Sequence, residues 1–159
     1  MDPKETRRRL AAIRKKNPEQ EVGDLVCPGA NAVEQLVFEV LRVPTLRFSG
    51  NDRSKDNTFV FQNGKKRHPD FRLDDAPDKV VEMVGTYSHA PAWEYAEQLK
   101  EEYSSIGVDV LPVIEDDFIK DPERWRRTFL AFYGKCPHCG GEVSGDPAGP
   151  VTCSRCGHL

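Results

Sequence analysis

The chain has 159 residues, of which 38% are hydrophobic and 31% charged, with a formal net charge of −3; this length fits one compact domain plus a mini-domain too small to bury a core of its own. No apolar run approaches the ~18 residues that cross a bilayer, which excludes a membrane-spanning helix. The basic start lacks the apolar core and cleavage site of a secretory signal, so an intracellular, reducing compartment is expected.

Residues 5–16 suit a short basic helix stopped by Asn17-Pro18, because the residue before proline disfavours the helical region. Residues 1–16 carry seven Lys/Arg against two acids, so this leader, taken as residues 1–19, is either a solvated tail or a contact for phosphates. Cys27-Pro28-Gly29 makes a turn. Asn31 then opens a helix over residues 31–41, with Val33, Leu36, Val37, Val40 and Leu41 at helical spacing. Strand-like segments follow at residues 45–49 and, after a polar loop, at residues 58–62. Asn63-Gly64 is a hairpin signal, leading through Lys65-Lys66-Arg67 into His68-Pro69-Asp70-Phe71. Residues 79–84 form a near-continuous apolar strand, covered on both faces, with Glu82 in its middle.

A helix over residues 92–105, with Trp93, Ala96, Leu99 and Tyr103 on one side and Gly107 as its stop, leads to a strand over residues 108–114. Strand, helix, strand makes a right-handed parallel crossover, so these two strands are expected as neighbours or near-neighbours. Glu115, Asp116 and Asp117 form an acidic stretch. Asp121-Pro122-Glu123 opens a last helix that offers Trp125, Phe129, Phe132 and Tyr133 for packing and ends at Gly134. The fold class expected for residues 20–133 is therefore α/β, with a mixed central sheet flanked by helices.

Residues 134–159 carry Cys136-Pro137-His138-Cys139 and, after thirteen intervening residues, Cys153-Ser154-Arg155-Cys156. This spacing presents four thiolates in a tetrahedron, a zinc ribbon with a closed and therefore structural Zn²⁺. Paired disulfides are the redox alternative. Gly140, Gly141 and Gly157 let backbone amides approach the sulfurs, Gly145 to Pro150 fits a hairpin tip, and His138 is a bystander. Lys135 and Arg155 are candidates to touch nucleic acid, against a purely structural or partner-binding ribbon.

Asp70 and Glu82 lie twelve positions apart, a spacing at which two antiparallel strands bring both carboxylates to one sheet edge. Hard oxygen ligands suit Mg²⁺ or Mn²⁺. Glu34 falls inside the apolar arc of its helix while Glu39 falls outside it; Glu34 either closes a capping box with Asn31, joins a site, or does both. His89, just past the end of the Glu82 strand, is either a solvated loop histidine or a group that moves a proton at neutral pH. Lys65, Lys66 and Arg67 are natural phosphate contacts or a solubility run, and His68 beside them contacts phosphate or solvent. Glu94 and Glu97 read as ordinary helix carboxylates, with Glu97 a possible outer contact.

The helix bearing Glu34, the segment Gly64 to Pro69-Asp70-Phe71, the strand Val80-Val81-Glu82-Met83-Val84-Gly85 and the closing Tyr87-Ser88-His89 together resemble the very-short-patch-repair mismatch endonucleases and phage-borne homing endonucleases. These belong to the restriction-endonuclease-like, PD-(D/E)xK superfamily, and the resemblance covers residues 28–118. It implies a restriction-endonuclease-like core and a metal-dependent DNA endonuclease that leaves a 5′ phosphate. By it Asp70 is the principal metal ligand, with Glu82 an added ligand or the superfamily's own acid, His89 transfers a proton, and Glu34 positions metal-bound water. DNA is the expected partner, Mg²⁺ or Mn²⁺ the catalytic cofactor, and the cytoplasm, at the nucleoid, the location. The pattern departs from the superfamily at Val84, where a lysine belongs, and from the repair-type branch at Ser88, where an aromatic residue precedes the histidine, and at Glu82, where its best-known members carry no acid. An inactive nuclease-like module that binds nucleic acid or protein is the alternative, and an RNA-processing factor with a ribbon is a third.

Overall fold

Helix α1 (Ala32–Leu41) starts where the sequence provides a reciprocal cap. The Asn31 backbone is extended, its side chain accepts from the Glu34 N–H at 2.9 Å, and the Glu34 carboxylate accepts from the Asn31 N–H at 3.0 Å, which satisfies two of the amides a helix start leaves free. All five apolar positions expected on its inner face are buried, each stabilising by about 2 kcal/mol. The computed structural model describes residues 4–5, 7–9, 11, 30–85, 91–145 and 151–157.

After α1 come β1 (Leu46–Phe48), a 3₁₀ turn (Lys55–Asn57), the short hairpin β2 (Phe59–Val60) and β3 (Lys66–Arg67), then β4 (Phe71–Leu73) and β5 (Ala76–Val84). Helix α2 (Ala92–Ser104), β6 (Asp109–Ile114), α3 (Glu115–Lys120) and α4 (Pro122–Tyr133) follow, and β7 (Val143–Gly145) and β8 (Val151–Cys153) close the ribbon. Four strands form one mixed sheet in the order β1-β4-β5-β6, antiparallel except for the parallel β5–β6 pair. The parallel neighbours expected from the β5–α2–β6 unit are thus present, and the fold is α/β.

Strand alternation sorts the core into two layers. Val81, Leu111 and Val113 pack with α1 and α4 on one face; Val80, Val84 and Val110 pack with Leu99 and Tyr103 of α2 and with Phe61 of the hairpin on the other. Glu82 has the parity of Val80 and Val84 and so lies on the α2 face. The hairpin is seated there by the edges of Phe59 and Phe61, whose ring centroids lie 5.8 and 5.0 Å from that of Tyr103.

One helix is not expected from the sequence, and one local reading differs from the structure. The acidic stretch Glu115-Asp116-Asp117 is the first turn of α3, where negative charge complements the positive end of the helix dipole. Trp93 extends the Ala96, Leu99, Tyr103 stripe by spacing, yet in the first turn of α2 it is 63% exposed. The last helix matches expectation: Asp121 accepts from the Arg124 N–H, Pro122 occupies the first turn, and Gly134 closes the helix in the left-handed region. Among the described residues no helix is long and apolar enough to cross a membrane.

Candidate carboxylate and metal sites

The β4–β5 register pairs Phe71 with Val81, so one step further Asp70 stands opposite Glu82, and residues directly opposite share a face. The pair lies at the end of the two inner strands, at the rim of the sheet. Asp70 is locked before β4 begins. The Ser49 N–H donates to its carbonyl at 2.7 Å, and the Ser49 hydroxyl donates to the Pro69 carbonyl at 2.6 Å. Buried Asn57 in turn donates to the Ser49 carbonyl at 2.8 Å. A Cβ at Gly50 would meet the Asp70 Oδ1 at 3.3 Å and the Phe48 ring at 2.8 Å, so only glycine lets the loop approach this closely.

The Asp70 Oδ2 accepts from the Met83 N–H at 2.8 Å, and Glu34 lies within hydrogen-bonding reach of the same carboxyl. The two readings of Glu34 are therefore compatible: its Oε1 completes the cap while its carboxyl meets Asp70. Glu82 is buried, at 6% exposure, and its Oε1 accepts from the Tyr103 hydroxyl at 2.7 Å. Burial raises the Asp70 carboxyl, opposed by the Met83 amide, Glu34, Arg67 and Arg53. Burial and then the Asp70 charge push Glu82 up to about 8, against the Tyr103 hydrogen bond and Arg67. Like charges this close do not both ionise at neutral pH. Glu82, the deeper member, holds the proton.

The basic hairpin resolves into different roles. Lys65 and Lys66 are exposed, whereas Arg67 is half-buried with its guanidinium 5.4 Å from the Tyr95 ring centre. The His68 Nδ1–H donates to the Asn57 carbonyl at 3.2 Å, with the Thr58 hydroxyl at 3.3 Å. That contact fixes the ring and leaves only its other nitrogen for a phosphate. His89 and Ser88 lie outside the described residues, as does Cys27.

In the ribbon, Cys136 and Cys156 have sulfurs 3.6 Å apart and Cys139 and Cys153 have theirs 3.4 Å apart, with all four donor atoms within 4.8 Å of one another. No disulfide joins them. A tetrahedron of thiolates about 2.3 Å from a central ion has edges of about 3.8 Å, so the quartet could hold a metal ion such as zinc. The His138 N–H donates to the Cys136 sulfur at 3.4 Å, and the Arg155 and Cys156 N–H groups donate to the Cys153 sulfur at 3.3 and 3.4 Å. Those amides, the Cys156 one first, hold the Cys153 thiol down at about 6, which favours the ligating thiolate. At Gly141 a Cβ would lie 3.0 Å from the Cys153 sulfur and 3.3 Å from that of Cys139. The His138 side chain is exposed and outside the quartet.

No protein-family model, curated protein or solved structure matches the chain. The two sites therefore stand on their own geometry. Among the described residues the cysteine quartet is the one group of three or more such ligands that close to within 4.8 Å. Glu34, Asp70 and Glu82 do not contract to that distance as a set. Mg²⁺ retains several waters and is held by one or two carboxylates; Asp70 could be joined by Glu34, whose Oε1 accepts from the Asn31 N–H, or by Glu82, whose Oε1 accepts from the Tyr103 hydroxyl. Lys135 is committed to Asp75 at 3.1 Å, and Arg155 reaches the Cys139 carbonyl at 3.3 Å. Sequence reasoning placed Tyr103 only on an apolar stripe and passed over Tyr95 and Arg53. The signal for Tyr103 was a strand glutamate between apolar neighbours, which needs a donor from the element that covers it.

Proposed function

We propose that the protein is a metal-dependent DNA endonuclease with a restriction-endonuclease-like core and a structural zinc ribbon. One observation carries the reading: Glu34 from the first helix and Glu82 from the longest strand each meet Asp70, the carboxylate that the resemblance makes the principal metal ligand. The sheet order β1-β4-β5-β6 with a parallel crossover through α2 supports it, because that topology sets a Pro-Asp segment beside a strand acid. The reaction adds water across a phosphodiester. The water oxygen bonds to phosphorus, the bond to the 3′ oxygen breaks, and that oxygen leaves with a proton, giving a 3′ hydroxyl and a 5′ phosphate.

Asp70 and Glu34 would hold Mg²⁺ or Mn²⁺, which supplies Lewis-acid stabilisation of the charge building on the phosphate. Glu82 serves as a neutral hydrogen-bonded neighbour that can ionise as a third ligand. His89 moves the proton, and Lys65, Lys66 and His68 hold the DNA backbone, with Arg67 on the same hairpin meeting the phosphate nearest the carboxylates. In the ribbon Zn²⁺ fixes the fold without chemistry. A plasmid-relaxation assay tests the reading. The parent is expected to nick supercoiled DNA with Mg²⁺ or Mn²⁺, and Asp70→Ala and His89→Ala to lose at least about 100-fold in rate; chelator abolishes nicking. An Asp70→Ala variant as active as the parent removes the basis of the assignment. Val84, fully buried where the superfamily sets its lysine, favours a second reading, an inactive nuclease-like module that binds DNA without cutting it; a parent that shifts DNA but never nicks it selects that one.

A further inference from the structure

Glu34 and Glu82 each lie beside the Asp70 carboxyl, and a phosphodiester would bring a further negative charge to that point, so the site needs a fixed cation. Strand β5 cannot provide it two residues after Glu82. Val84 there is 0% exposed and packs with Val80, Leu99 and Tyr103, so an ammonium at that position would be driven into an apolar cluster. Among the described residues, Arg67 and Arg53 are the cations whose charge is felt at Asp70, and Arg67 is also felt at Glu82. Arg53 is exposed and donates to the Gly50 carbonyl at 2.6 Å. Arg67 is held differently. It pairs across the hairpin with Phe59, whose ring edge packs on Tyr103, the residue that donates to Glu82. The arm carrying Arg67 is thus seated on the side chain that anchors the strand carboxylate. Tyr95, from the first turns of α2, completes the clamp with its ring face under the guanidinium and its hydroxyl in hydrogen-bonding contact with it.

We propose that Arg67, clamped by Tyr95, is the fixed cation of the Glu34, Asp70 and Glu82 site and the group that meets a non-bridging oxygen of the phosphate under attack, a role that rests on the endonuclease reading. This separates it from Lys65 and Lys66, which are exposed on the same hairpin with no such clamp. A planar fork held over an aromatic face is pre-organised for a phosphate, and positive charge aimed where negative charge develops acts on the rate more than on affinity. Tyr95 is a positioning residue, acting through Arg67.

The test uses the full chain and two readouts. Single-turnover nicking at saturating plasmid is measured beside DNA affinity in Ca²⁺, and Mn²⁺ affinity is measured without DNA from the spectrum of the free ion. Arg67→Gln is expected to nick at least about 100-fold more slowly while its DNA affinity changes less than about 3-fold. Arg67→Lys, which keeps the charge without the fork, recovers part of the rate and stands in should Arg67→Gln not fold. Tyr95→Ala falls between parent and Arg67→Gln. Because a neighbouring positive charge repels a divalent ion, Arg67→Gln also binds Mn²⁺ about 3-fold to 10-fold more tightly. Nicking at the parental rate by Arg67→Gln, or a loss confined to DNA affinity, overturns the proposal while the endonuclease reading stands. A parent that nicks nothing withdraws that reading instead. Mn²⁺ affinity then decides the charge: unchanged in Arg67→Gln, it removes Arg67 from the site; tightened, it keeps Arg67 as the site's cation.

Discussion

At the scale of single residues, the proton on Glu82 has a thermodynamic consequence. Its folded pKa, about 8, lies above the ordinary 4.5, so between those values the folded chain holds a proton that the unfolded chain has released. The stability this contributes is complete below about pH 4.5 and is lost as pH rises through about 8. The metal-free protein is therefore expected to melt about 5–10 °C lower at pH 8 than at pH 5, and Glu82→Gln, which keeps a neutral partner for Tyr103, to flatten this slope and melt above the parent at pH 8. Thermal melts across that range check it; a parental slope in the variant would assign the effect elsewhere. Gly141 makes a second case. Its open space is bounded by the Cys139 and Cys153 sulfurs and by the Arg155 Cβ at 2.9 Å, so Gly141→Ala forces the knuckles apart. A loss of metal affinity of at least about 10-fold is expected, read by competition with a chromogenic chelator.

Elements are joined by a clasp at Asp75, in the turn between β4 and β5. Its carboxylate accepts from the Thr45 hydroxyl ahead of β1 at 2.6 Å, from the Tyr133 hydroxyl at the end of α4 at 2.7 Å and from the Lys135 ammonium at the start of the ribbon at 3.1 Å. Burial opposes the charge, yet these three bonds outweigh it and hold the carboxyl down at about 2. A depressed folded pKa contributes stability that is present above the unfolded value, 3.8, and lost as pH falls through about 2. The group is partly exposed, so solvent screening limits the contribution to about 1 kcal/mol. Asp75→Asn is expected to lower stability by about that amount at neutral pH and to converge on the parent by about pH 2, as denaturant titrations at several pH values will show. The α4 end is also tied from the sheet, since the Lys79 ammonium donates to the Phe132 carbonyl at 2.7 Å and so satisfies a helix-terminal acceptor.

For the whole molecule, the two layers around the four-stranded sheet and the cysteine quartet are stabilised by different physics. The layers bury apolar side chains from every sheet strand. The ribbon adds Val143 to that core and relies on its cysteines for the rest, being too small to fold on burial alone. Stripping metal with a strong chelator is therefore expected to unfold the ribbon while the sheet persists, with one zinc released per chain by metal analysis and amide signals lost from the ribbon alone in NMR spectra. Global unfolding on chelation, or a metal-free protein with an intact ribbon, would contradict this division.

Much of this was legible in the sequence because the signals act over short distances. Asn31 with Glu34, Asp121 with Pro122, the Asn63-Gly64 turn and the cysteine spacing each specify geometry within a few residues, and the apolar periods of α1 and β5 name their buried faces. Tertiary structure decided what depends on who arrives from afar. It put Tyr103 on Glu82, which sets the proton, and it gave Glu34 both a cap and a contact with Asp70 from another element. It turned Arg67 inward over Tyr95 while its lysine neighbours stayed in solvent, left Trp93 uncovered, and paired Lys135 with Asp75. Local rules fix which face of an element is apolar; the charge and hydrogen-bonding state of a buried group is set by groups distant in the chain, and no local pattern encodes them.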